Sequence, residues 1–202
     1  MEDTQESWPI AATEPLLKHW LIEVRSDKVQ LPDNTLAERT VVSHPGAVAV
    51  VALDDADRVL MIRQYRHPVG YQLWEIPAGL RDTAGEPPLD TARRELFEET
   101  GHRARDWHVL VDYFTSPGFS TERLRIYLAR GVEQAADDAG PGYVRHDEEK
   151  FLIQQWVPLA DAVRLSLAGK IHNSAAITGV LAARAAQADG FTTLRQADAP
   201  EP

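Results

Sequence analysis

Cysteine is absent from all 202 residues, which removes disulfides, thiolate metal sites and cysteine nucleophiles together. Long apolar runs are missing too: the longest, Ala47–Leu53, falls far short of the ~20 residues a membrane helix needs. No basic-then-apolar leader opens the chain. Positive charge is scarce. With 21 Lys and Arg against 31 Asp and Glu, the net charge of −10 argues against a nucleic-acid backbone as partner. An anionic small molecule fits only where a metal or clustered arginine cancels that field locally. The seven histidines form no His-Glu-x-x-His pair, against a zinc site. Neither Gly-x-Ser-x-Gly nor Gly-x4-Gly-Lys-[Ser/Thr] occurs, which removes two hydrolase classes. What is left, 44% hydrophobic and 26% charged, describes a cytoplasmic globular protein of one domain, or one domain with an arm.

Residues 1–15 and Arg195–Pro202 are polar and Pro-bearing, so both ends are expected to fray. Between Trp20 and Leu31 the pattern predicts two short strands about a Ser26-Asp27 turn, with another strand starting at Thr40–Val42. Gly46–Leu53, the acidic turn Asp54–Asp57 and Val59–Tyr65 predict a hairpin that begins the main sheet. Pro87 and Pro88 suit a first helical turn, and Leu89, Ala92 and Leu96 recur at helical spacing up to a Gly101 stop. Val109–Phe114, Leu124–Ala129 and Phe151–Val157 read as strands, and Pro158–Ala168 and Asn173–Ala188 as helices. The mixture predicts an α/β or α+β sandwich.

The densest chemistry lies in Arg94–Gly101. Glu95, Glu98 and Glu99, at i, i+3 and i+4, come together on one helical turn. A like-charged pair ~4 Å apart costs about 4 kcal/mol at an effective dielectric near 20. Arg94 can answer Glu98 one turn on, but it is one charge against three, so a divalent cation is the natural remainder. The alternative is a solvated acidic face.

Read together, Gly79, Glu86, Arg94, Glu95, Leu96, Glu98, Glu99 and Gly101 resemble the Nudix box, Gly-x5-Glu-x7-Arg-Glu-U-x-Glu-Glu-x-Gly-U. Two positions depart from it: six residues separate Gly79 from Glu86, and His102 stands where an aliphatic is usual. Ser43–Val50, Gln64–Pro68, Leu73–Gly79 and Ser116–Ser120 extend the resemblance to the ADP-ribose pyrophosphatase branch, with Pro117 sixteen residues past Gly101.

That resemblance implies a Nudix-type α/β/α sandwich with a mixed sheet (residues 43–190) and an N-terminal antiparallel strand arm (1–42); residues 191–202, beyond it, are expected to be a flexible tail. It implies Mg²⁺-dependent hydrolysis, with Mn²⁺ as a substitute, of the diphosphate of ADP-ribose to AMP and ribose 5-phosphate. Another nucleoside diphosphate sugar such as GDP-mannose, or a non-catalytic nucleotide-sugar-binding module, are the alternatives. Glu95 and Glu99 would be the primary metal ligands, with Glu98 shared between Arg94 and metal and the Ala78 carbonyl completing the set. Glu86 and Arg94 orient more than they react. Glu149 is the candidate general base, with Glu148 and Asp147 beside it. Arg66 would hold the diphosphate and Arg39 flank the adenine, each against the alternative of a surface arginine. A homodimer closed by the arm is the expected assembly, with no nucleic acid and no membrane as partner.

Overall fold

The computed structural model describes residues 1–135 and 152–201. They form two compact units, one comprising residues 1–46 and 114–123 and the other residues 47–113, 124–135 and 152–201.

The first unit is an antiparallel sheet of β1 (Ile10–Lys18), β2 (Glu23–Gln30) and β3 (Leu36–Ser43), in that order. Residues 10–18 are thus strand rather than frayed terminus. Ser26 and Asp27 do not turn the chain; they lie inside β2, 8% and 3% exposed. The reason is cross-strand bonding. Asp27 accepts from Thr13 Oγ1 (2.8 Å) and from Arg25 Nε (2.9 Å), while Ser26 Oγ donates to Glu38 (2.7 Å). A Ser-Asp pair that favours turns in isolation is satisfied here by neighbouring strands. Those bonds, Thr13's first, hold the Asp27 carboxyl below its ordinary range. Residues 114–123 join this unit through β3: Val42 donates to the Phe119 carbonyl (2.7 Å) and accepts from Thr121 N–H (3.0 Å).

The second unit carries a five-stranded sheet in the order β11-β8-β9-β4-β7. These strands are β4 (Ala47–Ala52), β7 (Ala78–Leu80), β8 (His102–Phe114), β9 (Arg123–Gln134) and β11 (Arg195–Gln196). A three-stranded sheet of β10 (Ile153–Pro158), β5 (Arg58–Arg66) and β6 (Tyr71–Glu75) accompanies it. β4 runs parallel to β9 and antiparallel to β7, so the larger sheet is mixed.

Both faces of β4 are buried, and its alternation explains the layering. Ala47, Ala49 and Val51 face a core shared with α2 (Leu159–Leu167) and α3 (Ser174–Ala188). Val48, Val50 and Ala52 face a second core with Ala92 and Leu96 of α1 (Pro88–Thr100). Helices on both faces make the predicted α/β/α sandwich. α3 starts where Asn173 caps it, accepting from Ala176 N–H at 2.9 Å.

The strands of the expected hairpin over 46–65 divide between two sheets. Both strands form, and Asp54 closes the turn between them by accepting from Ala56 and Arg58 N–H. After the single bridge Leu53–Val59, however, they part: β4 pairs with β9 and β7, β5 with β10 and β6. Two runs buried on both faces each need strand neighbours on either side, which one hairpin partner cannot supply. The carboxy-terminal residues also differ from the expected loose tail. Arg195 and Gln196 pair with β8, and Ala197 and Ala199 pack on the α1 core.

Candidate active site

The site is built on α1, whose ends are set locally. Pro87 and Pro88 open it, and Gly101, at φ 71°, closes it by donating its N–H to the Phe97 carbonyl (2.8 Å). Helical phase then sorts the carboxylates. Thr91, Ala92, Leu96, Glu99 and Thr100 form the buried face, leaving Glu95 at its edge and Glu98 outermost.

Glu99, only 5% exposed, accepts from the Ala78 N–H of β7 at 2.9 Å. Its own carbonyl accepts from Gln154 Nε2 of β10 at 2.9 Å, which ties the last helical turn to the second sheet. Glu95 stands against the next residue of β7. A Cβ on Gly79 would lie 2.0 Å from the Glu95 Cδ and 2.1 Å from its Oε1, so any side chain at 79 would push the carboxylate out of this position. Two consecutive residues of one short strand therefore place two glutamates a turn apart.

Arg94 gathers the others. Its Nη1 donates to Glu95 Oε1 (2.7 Å) and Glu98 Oε2 (3.0 Å), while Nε and Nη2 donate to the two oxygens of Glu86 (3.2 and 3.1 Å). Thr91 Oγ1 adds a bond to Glu86 (2.9 Å). The Arg94 bond, opposed by burial and joined by Thr91, holds the Glu86 carboxyl below its ordinary range; Glu86 in turn leads the contacts that raise Arg94. Glu86 and Arg94 thus brace the loop before the helix while keeping like charges apart. Arg94 bonds three carboxylates, Glu86, Glu95 and Glu98, in a chain that is acidic overall.

The donor set suits a hard divalent ion. Among the described residues no three ligating side chains are already gathered about one point. Mg²⁺ does not require that, since it keeps several waters and takes one or two carboxylates plus substrate phosphates. Glu95 and Glu99, both held on Ala78–Gly79, are the residues that would supply those carboxylate oxygens, with the Ala78 main chain alongside.

The remaining expected residues belong to other elements or fall outside the described residues. Arg66, at the end of β5, makes a two-pronged ion pair with Glu75 (Nε 2.9 Å, Nη2 2.7 Å). Glu75 is 2% exposed and Arg66's side chain 45%, so the guanidinium is fixed in orientation yet reaches the surface. Arg39 belongs to β3 of the arm, exposed, and donates to the Glu38 carbonyl (2.9 Å). Glu149, with Asp147 and Glu148, falls outside the described residues. His102 takes the place of the usual aliphatic by packing edge-on to Trp156, 5.6 Å between centroids. Burial lowers its ring pKa below the ordinary histidine value, as for a packing residue. Sequence reasoning missed Glu75 and Gln154. An acid inside the apolar run Trp74-Glu75-Ile76 was the available signal for the first; nothing local marked the second.

A NUDIX domain model matches residues 43–177. The chain belongs to the Nudix family. An ADP-ribose pyrophosphatase of Mycobacterium tuberculosis is 47% identical over 178 residues, 88% of this chain and 83% of that protein. The ADP-ribose pyrophosphatase of Bacillus subtilis is 34% identical over 163 residues, 81% of this chain and 85% of that one. A crystal structure described as an ADP compounds hydrolase superposes with a TM-score of 0.76 at 21% identity, covering 94% of this chain and 99% of the other. At that identity the superposition speaks for the Nudix fold alone.

Proposed function

We propose that this Nudix protein hydrolyses the diphosphate bond of ADP-ribose to AMP and ribose 5-phosphate with Mg²⁺, or Mn²⁺ in its place. The observation that carries the chemistry is the pair Glu95 and Glu99, held one turn apart on the main chain of Ala78–Gly79. The 47%-identical relative supports the substrate. The bound ion supplies Lewis-acid neutralisation of phosphate charge and a more acidic water. The chain's own residues do the rest. Glu99 and Glu95 would hold oxygen donors for the metal, Arg94 keeps Glu95 and Glu98 side by side, and Glu98, the most exposed of the three, would be shared between arginine and metal. Arg66, oriented by Glu75, meets the diphosphate as a charge-assisted donor, and Arg39 lies beside adenine. Glu149 takes the proton from the attacking water.

Incubation with ADP-ribose, GDP-mannose and other nucleoside diphosphate sugars in Mg²⁺, followed by phosphorus NMR in ¹⁸O-water, tests this reading. ADP-ribose should be consumed fastest, with label in one phosphomonoester product only. ADP-ribose intact overnight would leave a binding module, and faster GDP-mannose turnover would reassign the substrate.

A cytoplasmic homodimer assembled through the arm completes the proposal. It is supported by the apolar side chains that β1 leaves open, among them Ile10 (54% exposed), Leu16 and Leu17 (each 53%). No helix of the described residues is long and apolar enough to cross a membrane. Deleting residues 1–42 is expected to give a monomer in sedimentation velocity with weakened ADP-ribose affinity. A truncated protein that still sediments as a dimer rules out the arm as the interface.

A further inference from the structure

Arg81 opens the loop that leaves β7 for α1, two residues beyond Gly79. Its Nη1 donates to both carboxylate oxygens of Glu201, at 2.8 and 2.9 Å, and the two side chains are only 26% and 22% exposed. Glu201 is itself held in place from below. Arg125, 3% exposed on β9, donates to the main-chain carbonyls of Ala199 (2.7 Å) and Pro200 (3.1 Å). The same guanidinium is locked by Asp112 of β8 through two bonds of 2.7 and 3.0 Å, and Asp112 also pairs with Arg195 at 2.8 Å. A groove beside this network is lined by Arg81, Pro87, Leu89, Tyr127 and Asp198, so the carboxy-terminal segment flanks the start of α1.

We infer that residues 195–201 clasp the loop entering the metal-binding helix, making Arg81 and Glu201 positioning residues for Glu95 and Glu99. The inference rests on the metal-site reading above. Both ends of loop 81–87 end on that site. At one end Ala78 and Gly79 touch Glu99 and Glu95; at the other Glu86 is bonded to Arg94. Between those ends the loop has little regular structure, with one turn bond from Glu86 N–H to the Thr83 carbonyl (3.1 Å). Without a tether on Arg81, slack in the loop passes to Gly79 and to Glu86 together. Glu95 then loses the wall it stands against, and Arg94 loses the partner that fixes its plane. Tethering one residue of a flexible loop lowers the entropy lost when a ligand orders the site.

The test uses the full chain with Glu201→Gln, Arg81→Met and Arg81→Lys. Hydrogen exchange at residues 81–86 of the metal-free proteins is read alongside Mn²⁺ affinity by EPR titration without substrate. The first two variants should exchange faster and bind Mn²⁺ roughly two- to fivefold more weakly, within the range such an ion pair spans. Arg81→Lys, which keeps a charge for Glu201, should stay near wild type. Faster exchange with unchanged Mn²⁺ affinity leaves only a structural staple and overturns the positioning role. Unchanged exchange in all three overturns the clasp itself. A wild-type protein that binds no Mn²⁺ would strike the metal-site reading, whereas the exchange comparison still decides the clasp.

Discussion

Glu95→Gln and Glu99→Gln proteins are each expected to lose on the order of a thousandfold in kcat at saturating Mg²⁺ while melting within a few degrees of wild type. The loss corresponds to about 4 kcal/mol, the several kcal/mol that metal stabilisation of transition-state charge contributes. The retained stability follows from geometry. Glutamine keeps the size and one carbonyl oxygen, so Gln at 99 can still accept from the Ala78 N–H that Glu99 uses now. At 95 the change removes one of the carboxylates crowded around Arg94, which still has Glu86 and Glu98 to bond. Like-charge crowding is thereby relieved, so Glu95→Gln is expected to melt no lower than wild type. Steady-state assays across a Mg²⁺ series, beside thermal melts of the metal-free proteins, read both effects. A variant turning over within threefold of wild type would show that the residue is not a metal ligand.

Asp112→Ala carries the largest expected cost to stability, about 3–5 kcal/mol, because it strands the buried Arg125 charge. Arg125 would keep the Ala199 and Pro200 carbonyls, the Tyr127 side chain and a distant carboxylate, Glu201, at 4.0 Å, but no bonded anion. Set against a typical total of ~5–15 kcal/mol, the urea midpoint at pH 7 should fall steeply. The pH dependence has a definite sign. Burial pushes the Asp112 carboxyl upward, yet the bonds from Arg125 and Arg195 outweigh it and hold the group below its ordinary value. Its contribution is therefore complete above the unfolded-state value near ~4 and is lost as pH falls through the lower folded value. Stability curves of wild type and Asp112→Asn should converge below about pH 4. A gap that stays constant to pH 2 would mean the pair does not titrate with unfolding.

Much of the site was legible because its information is local. Spacing alone puts Glu95, Glu98 and Glu99 on one turn, and Gly101 ends the helix with the backbone angle that glycine was expected to supply. Asn173 likewise announces α3 through a bond to a residue three positions away. What escaped sequence reasoning depends on partners far along the chain. Ser26 and Asp27 resemble a turn until Thr13 and Glu38 are beside them. The strands around Asp54–Asp57 carry a hairpin's pattern, since a shared turn reads alike whether its strands pair with each other or with β9 and β10. The carboxy-terminal segment was opaque for another reason: Arg125 binds the carbonyls of Ala199 and Pro200, and a carbonyl has no sequence signature. Glu75 and Arg66, nine residues apart on neighbouring strands, needed the β5–β6 register before their pairing could be seen.

The bond from the Ala78 N–H to Glu99 has an evolutionary corollary. Its donor belongs to the peptide backbone, so nineteen of the twenty encoded residues would carry it and only proline would not. This bond therefore sets no chemical requirement on the side chain at position 78. The glutamate, by contrast, has no such redundancy. One half of this contact is inherited with the fold itself, and only the other half is exposed to selection at a side chain.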